Sequence, residues 1–151
     1  MAKEIISESA DQTQKIATKL LKDLTGGEIL ALVGELGSGK TCFVQGLAKA
    51  LGIRDQITSP SFVLIKEYQI KNLKSQISNL KTKKFKKLIH IDLYRLKKID
   101  KILKQGISEY FQPENVVIIE WAEKLKKALP DQTLWIKFIW LDENCRKIIF
   151  K

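Results

Sequence analysis

Gly34-Glu35-Leu36-Gly37-Ser38-Gly39-Lys40-Thr41 carries the spacing G-x-x-x-x-G-K-[ST], the pattern of a phosphate-binding loop. The apolar run Glu28 to Val33 in front of it reads as a strand, and Lys40 to Leu51 behind it reads as a helix stopped at Gly52. The pattern has a physical cause. The phosphates of a nucleotide are a dense anion that many donors must meet at once. Gly34, Gly37 and Gly39 let the main chain turn with its N–H groups inward, and the following helix adds the partial positive charge of its N-terminus. Lys40 then reaches the outer phosphates, and the Thr41 hydroxyl is placed to ligate magnesium. The competing reading is a glycine-rich strand-to-helix turn with a solvated lysine. The strand before the loop and the helix after it weigh against that reading.

Outward from the loop, Asp11 to Leu24 places Ile16, Ala17, Leu20, Leu21 and Leu24 at helical spacing, preceded by a short strand near Ile5-Ile6. Phe62-Val63-Leu64-Ile65 begins another strand and Leu88-Ile89-His90-Ile91-Asp92 the next, with a lysine-rich stretch between them as an elongated hairpin connection. Val116-Val117-Ile118-Ile119 is wholly apolar and ends on Glu120, the pattern of a strand buried on both faces. Leu134 to Leu141 and Arg146 to Phe150 close the chain as a hairpin across Asp142-Glu143-Asn144. This alternation predicts an α/β fold of the P-loop NTPase type. Its three layers would enclose a mostly parallel central sheet with a β-hairpin insertion, and nucleotide would sit at the carboxyl ends of the strands. No internal repeat is visible.

At 151 residues and 44% hydrophobic content, the chain is expected to form one domain spanning residues 1–151. The first residues, Met1-Ala2-Lys3-Glu4-Ile5-Ile6-Ser7-Glu8, carry acids where a secretory signal needs an apolar run. No stretch approaches the roughly 18 apolar residues of a membrane span, so a cytosolic location is expected. Cys42 and Cys145 lack metal-ligand spacing and cannot make a disulfide framework. Cys42 falls in the first helical turn after the loop, where a helix end could lower its thiol pKa, but the favoured reading is a small residue packed under the loop.

The net charge of +10 is concentrated. Lys66 to Lys104 holds 13 Lys and Arg against 3 acids, whereas the segments on either side are each balanced at 7 against 7. Its densest part is Lys81-Thr82-Lys83-Lys84-Phe85-Lys86-Lys87. Such a run suits an RNA backbone or an acidic protein surface, or it is a solvated hairpin loop. Sparse stacking residues and only three arginines (Arg54, Arg95 and Arg146) favour the solvated loop.

A P-loop enzyme needs an acid at the end of a strand beside the loop strand. Asp92 ends one candidate strand and Glu120 another. One would bind the metal while the other orients the attacking water, a division of labour that a hydrolase needs and a pure binding module does not.

Gly34 to Thr41, Thr58-Ser59-Pro60-Ser61-Phe62, His90-Ile91-Asp92-Leu93-Tyr94-Arg95 and Ile119-Glu120-Trp121 together resemble the TsaE family. This is the bacterial P-loop ATPase family of the tRNA threonylcarbamoyladenosine pathway. The order and spacing of four motifs are far more specific than a lone phosphate loop. The resemblance implies phosphate and magnesium roles for Lys40 and Thr41, with Gly37, Ser38, Gly39 and Cys42 also at the nucleotide. It assigns Glu120 to magnesium and Asp92 to the essential acid of the H-x-D-x-Y-R motif, so that Lys40, Asp92 and Glu120 form the catalytic set. Ser59 to Phe62 would form a switch-like segment responsive to the terminal phosphate, and Trp121 would lie near the nucleotide. Thr13 and Arg146 match, more weakly, terminal positions near it. Glu35, Ser38 and Cys42 stand where the family more often has Asp, Ala and Thr, which removes no phosphate donor.

The resemblance further implies Mg-dependent hydrolysis of ATP that drives a cycle in the TsaB and TsaD transferase assembly, with tRNA as the final acceptor. No arginine finger follows from motif position, although Arg95 is a candidate, so slow hydrolysis by the isolated chain and stimulation by a partner are expected. The absence of an N-K-x-D motif favours adenine over guanine. A small-molecule kinase would share the loop but needs several arginines to clamp its acceptor, and an RNA-binding module would instead exploit the basic segment.

Overall fold

The computed structural model describes residues 2–60, 64–71 and 85–151. The elements run β1 (Lys3–Ser7), α1 (Ala10–Leu21), β2 (Ile29–Val33), α2 (Lys40–Ala50), β3 (Ile65–Gln69), β4 (Lys87–Asp92), α3 (Lys101–Ser108), β5 (Asn115–Glu120), β6 (Leu134–Trp140) and β7 (Arg146–Phe150), with one 3-10 turn at Ala122–Leu125. The seven strands form a single sheet in the order β1-β7-β6-β2-β5-β4-β3. Its four central strands, β6, β2, β5 and β4, are mutually parallel, and β1, β7 and β3 add antiparallel edges. The expected α/β fold with a mostly parallel centre is what the chain adopts.

Period-2 alternation sorts the central strands onto two cores. Leu30 and Leu32 of β2 and Val116 and Ile118 of β5 join α1 and α2 residues such as Leu21, Phe43 and Leu47 on one face. Ile29, Ala31, Val117 and Ile119 turn the other way, toward Leu103 and Ile107 of α3 and toward Ala122 and Leu125. Because both faces are covered, β2 and β5 are almost continuously apolar, and Glu120 at the end of β5 and Asp92 at the end of β4 stand out as buried acids.

Local signals set the helix starts. The Ser9 side chain accepts from Gln12 N (3.1 Å) to cap α1, and Asp100 Oδ1 accepts from Leu103 N (2.8 Å) to cap α3. Helix α1 stops at Leu21, three residues earlier than its apolar stripe predicts, but Leu24 still packs into the core. Gly46 explains how closely α1 and α2 approach: a Cβ there would lie 2.6 Å from Gln14 Cα and 2.7 Å from its carbonyl oxygen.

The strand expected from Phe62 begins instead at Ile65, because Leu64 takes a left-handed conformation (φ 70°) that no strand accommodates. Ser61, Phe62 and Val63 lie outside the described residues, as do Lys81, Thr82, Lys83 and Lys84 of the basic run. Strands β3 and β4 pair antiparallel on either side of that run, from Ile65 opposite Ile91 to Gln69 opposite Lys87. Helix α3 lies where the sequence analysis predicts no element: it has only eight residues, and Gly106 interrupts its pattern. Among the described residues no helix is long and apolar enough to cross a membrane.

Candidate functional site

Strand β2 delivers the chain into the loop at Gly34, whose φ of 152° is open to glycine and whose Cβ, if present, would meet the Phe138 carbonyl oxygen at 2.5 Å. Gly39 (φ 102°) begins α2 with no side-chain cap, so the first-turn N–H groups keep their hydrogen-bonding capacity for an anion. Lys40 is buried, and its Nζ donates to the main-chain oxygens of Gly34 (2.6 Å) and Glu35 (2.9 Å). Burial pulls the Lys40 ammonium below its ordinary pKa, while the charges of Glu120, Glu123, Asp92 and Glu35 work in the opposite direction.

The sheet register brings the acids here. Asp92 of β4 pairs with Glu120 of β5, and Glu120 pairs with Leu32 of β2, one residue before the loop strand ends. Alternation then points His90, Asp92 and Glu120 toward the face that α2 covers. Thr41 Oγ1 donates to Glu120 Oε1 (3.1 Å), with Oε2 at 3.4 Å. His90 is fully buried, and its Nε2 lies 2.8 Å from Glu120 Oε1. A carboxylate can only accept, so the proton of this bond belongs to His90 Nε2, and Nδ1 is buried with no partner among the described residues. Asp92 is engaged differently: Oδ1 accepts from Tyr94 N (2.9 Å) and Oδ2 accepts from the Ser59 hydroxyl.

These groups border one cleft of about 490 Å3, lined by Gly37, Gly39, Lys40, Thr41, Cys42, Ser59, Asp92, Arg95, Glu120, Trp121 and Arg146 among others. Trp121 adopts a left-handed conformation (φ 59°, ψ 39°), which brings its ring beneath the Lys40 ammonium (4.4 Å to the centroid) and against the Tyr94 ring (5.0 Å). The Arg146 side chain lies against Gly39, with Cγ 3.7 Å from where a Cβ would stand, and its Nη1 donates to the carbonyls of Asp142 (2.5 Å) and Cys145 (2.9 Å).

Two of the sequence-nominated residues stand apart from the cleft lining. Thr13 is buried in α1, where its hydroxyl bonds Ser7 Oγ (2.8 Å) and ties β1 to the helix. Ser38 is also buried, and its Oγ has no hydrogen-bond partner among the described residues. Cys42 lines the cleft, where burial pushes its thiol pKa up, the direction of the favoured reading as a packed small residue and opposite to what a helix end alone would do. Residues the sequence undervalued are Tyr94, which stands in the H-x-D-x-Y-R motif without a role of its own, and Lys124, which is one lysine among many. His90 was visible in its motif, but not as the partner of Glu120.

The donor set fits magnesium. Thr41 and Glu120 offer a hydroxyl and a carboxylate side by side, both hard oxygen ligands. Among the described residues no group of three or more His, Cys, Asp or Glu is arranged to hold a metal by itself.

A phosphate loop between a parallel strand and its helix, with a strand-end carboxylate on the loop threonine, defines an α/β protein of the phosphate-loop class. A family model described as threonylcarbamoyl adenosine biosynthesis protein TsaE matches residues 7–148, and the chain belongs to the TsaE family. It is 39% identical to the tRNA threonylcarbamoyladenosine biosynthesis protein TsaE of Aquifex aeolicus, over 98% of this chain and 95% of that one. It is 34% identical to the protein of the same description from Treponema pallidum, over 95% and 96% of the two chains. The crystal structure of Bacillus subtilis YdiB superposes with a TM-score of 0.73 at 27% identity, covering 99% of this chain and 84% of that one.

Proposed function

We propose that this chain binds ATP with magnesium and hydrolyses it in support of threonylcarbamoyladenosine formation in tRNAs that read codons starting with A, acting with the TsaB and TsaD transferase subunits. The cytoplasm is the site of action. The observation that carries the reading is the Thr41 hydroxyl on the Glu120 carboxylate, 3.1 Å apart, at the first turn of a helix whose N-terminus no side chain caps. The loop N–H groups and Lys40 bind the phosphates, and Thr41 and Glu120 hold the ion. Bound magnesium supplies charge neutralisation on the phosphate oxygens.

The contacts divide the labour between the acids. Glu120 touches the loop threonine and is held by His90, which suits a metal ligand. Asp92 lines the same cleft but bonds the Ser59 hydroxyl and Tyr94 N, which suits the group that orients an attacking water and shares it with the Ser59 segment. Lys40 Nζ donates to the Gly34 and Glu35 carbonyls, which leaves one of its three donors for a phosphate oxygen.

Turnover of the wild-type chain, measured alone and with the transferase pair, tests the reading. Slow hydrolysis alone, accelerated by the pair and lost in Lys40→Ala, is expected. Well-folded wild-type protein that shows no heat of association with Mg-ATP would remove the basis of the proposal.

A further inference from the structure

We infer that Lys124 is a positioning residue that fixes one wall of the nucleotide cleft by clamping the turn after β4. Its Nζ donates to three main-chain oxygens of that turn: Leu93 (2.7 Å), Tyr94 (2.7 Å) and Leu96 (2.8 Å). An ammonium has three donors, and here all of them are spent on carbonyls of one turn. Three oxygens that converge on one point would repel each other without a cation, so the turn conformation depends on this side chain.

The turn carries groups of the cleft. Tyr94 and Arg95 both line it, and Leu93 N bonds Glu120 O (3.2 Å), so the turn leaves β4 directly beside the end of β5. Lys124 reaches it from the 3-10 turn at Ala122–Leu125, three residues after Trp121, where side chains eclipse. Its ammonium is 6.0 Å from the Trp121 ring centroid, and that ring packs on Tyr94. The strand-end acids Asp92 and Glu120 are thus followed by two turns that a single lysine joins. Lys124 makes no hydrogen bond to either acid or to the loop among the described residues; it acts through the placement of Arg95.

This inference rests on the nucleotide reading of the cleft, and its test has a readout that does not. Lys124→Met keeps the length and apolar stem of the side chain and removes the charge. Limited trypsin digestion of the folded proteins reports the turn directly, since Arg95, Lys97 and Lys98 are cleavage sites. Cleavage there should be about tenfold faster in Lys124→Met at unchanged melting temperature, because a released turn opens more often. Calorimetry with Mg-ATP then reports the consequence through a double-mutant cycle. Lys124→Met should weaken affinity about tenfold in the wild-type background and less than about twofold in Arg95→Ala, because the clamp acts through that arginine. Unchanged cleavage overturns the clamp. Faster cleavage with equal losses of affinity in both backgrounds, or with none, overturns the positioning role. If the wild-type chain fails to bind Mg-ATP, the nucleotide reading falls, and the digestion still decides whether Lys124 holds the wall.

Discussion

At the scale of single residues, the two cleft acids differ by what they touch. Glu120 contacts Thr41 and His90, whereas Asp92 contacts Ser59 and the Tyr94 amide. Glu120→Gln should therefore abolish the magnesium dependence of ATP affinity. Asp92→Asn should keep that affinity and lower kcat by about a hundredfold, the usual size of a lost general base. Calorimetry with and without magnesium, beside single-turnover kinetics, separates the two; equal behaviour of the variants would refute the assignment. His90→Leu leaves Glu120 Oε1 without its buried donor, and should cost about 1–3 kcal/mol in urea unfolding. Motif spacing made Asp92 and Glu120 visible in the sequence. The motif resemblance already implied different roles for them; what spacing could not show is their contacts, because both are single acids ending apolar strands and their partners come from other elements.

At the scale of elements, packing and turn chemistry are what mutation should expose. Gly46 sits where α2 crosses α1, and a methyl group there meets Gln14 main-chain atoms that cannot swing aside. Gly46→Ala should destabilise the fold by about 1–3 kcal/mol by overpacking, measured as a shift of the denaturation midpoint. The turn into β2 is set by Glu28, whose carboxylate accepts from Thr25 N (2.5 Å), Thr25 Oγ1 (2.6 Å) and Gly26 N (2.7 Å). Partial burial works to raise its pKa, but these donors prevail and hold it below the ordinary 4.5. A depressed folded pKa means that the stabilisation is complete above about pH 4.5 and is lost as pH falls through the lower folded value. Glu28→Gln should accordingly be less stable than wild type at neutral pH, with the gap closing in acid; a pH-independent gap would contradict the linkage. Strands β2 and β5 were legible because burial on both faces leaves a continuous apolar run. Helix α3 was not, because eight residues with a central glycine carry too little periodicity.

At the scale of the molecule, the parallel centre sends the cleft groups to one end of the sheet and Lys86 and Lys87 to the other. Lys87 begins β4 and Asp92 ends it, five residue steps or about 16 Å apart. The described lysines of the run are already paired: Lys87 Nζ lies 2.8 Å from Glu67 Oε2 and Lys86 Nζ 3.9 Å from Glu114 Oε1. Replacement of Lys86 and Lys87 by Ala should leave Mg-ATP affinity within about twofold, since screening at physiological salt acts over about 8 Å. A larger change in calorimetry would mean that the two ends communicate. If tRNA contacts the run, the same variant should flatten the dependence of tRNA affinity on salt.

The sequence by itself determined the phosphate loop, its strand and helix, the apolar central strands and the motif set shared with TsaE proteins. All of these are local patterns, in which spacing along the chain fixes conformation through sterics and periodic burial. It took the tertiary structure to show that Glu120 and not Asp92 bonds Thr41, that the Thr13 hydroxyl bonds Ser7, that Cys42 is partly buried, and that Lys124 closes on the turn after β4. Each of these depends on which residues become neighbours when β2, β5 and β4 take their register and α1 docks on α2. Contacts between distant parts of a chain are fixed by that assembly, and no local pattern encodes them.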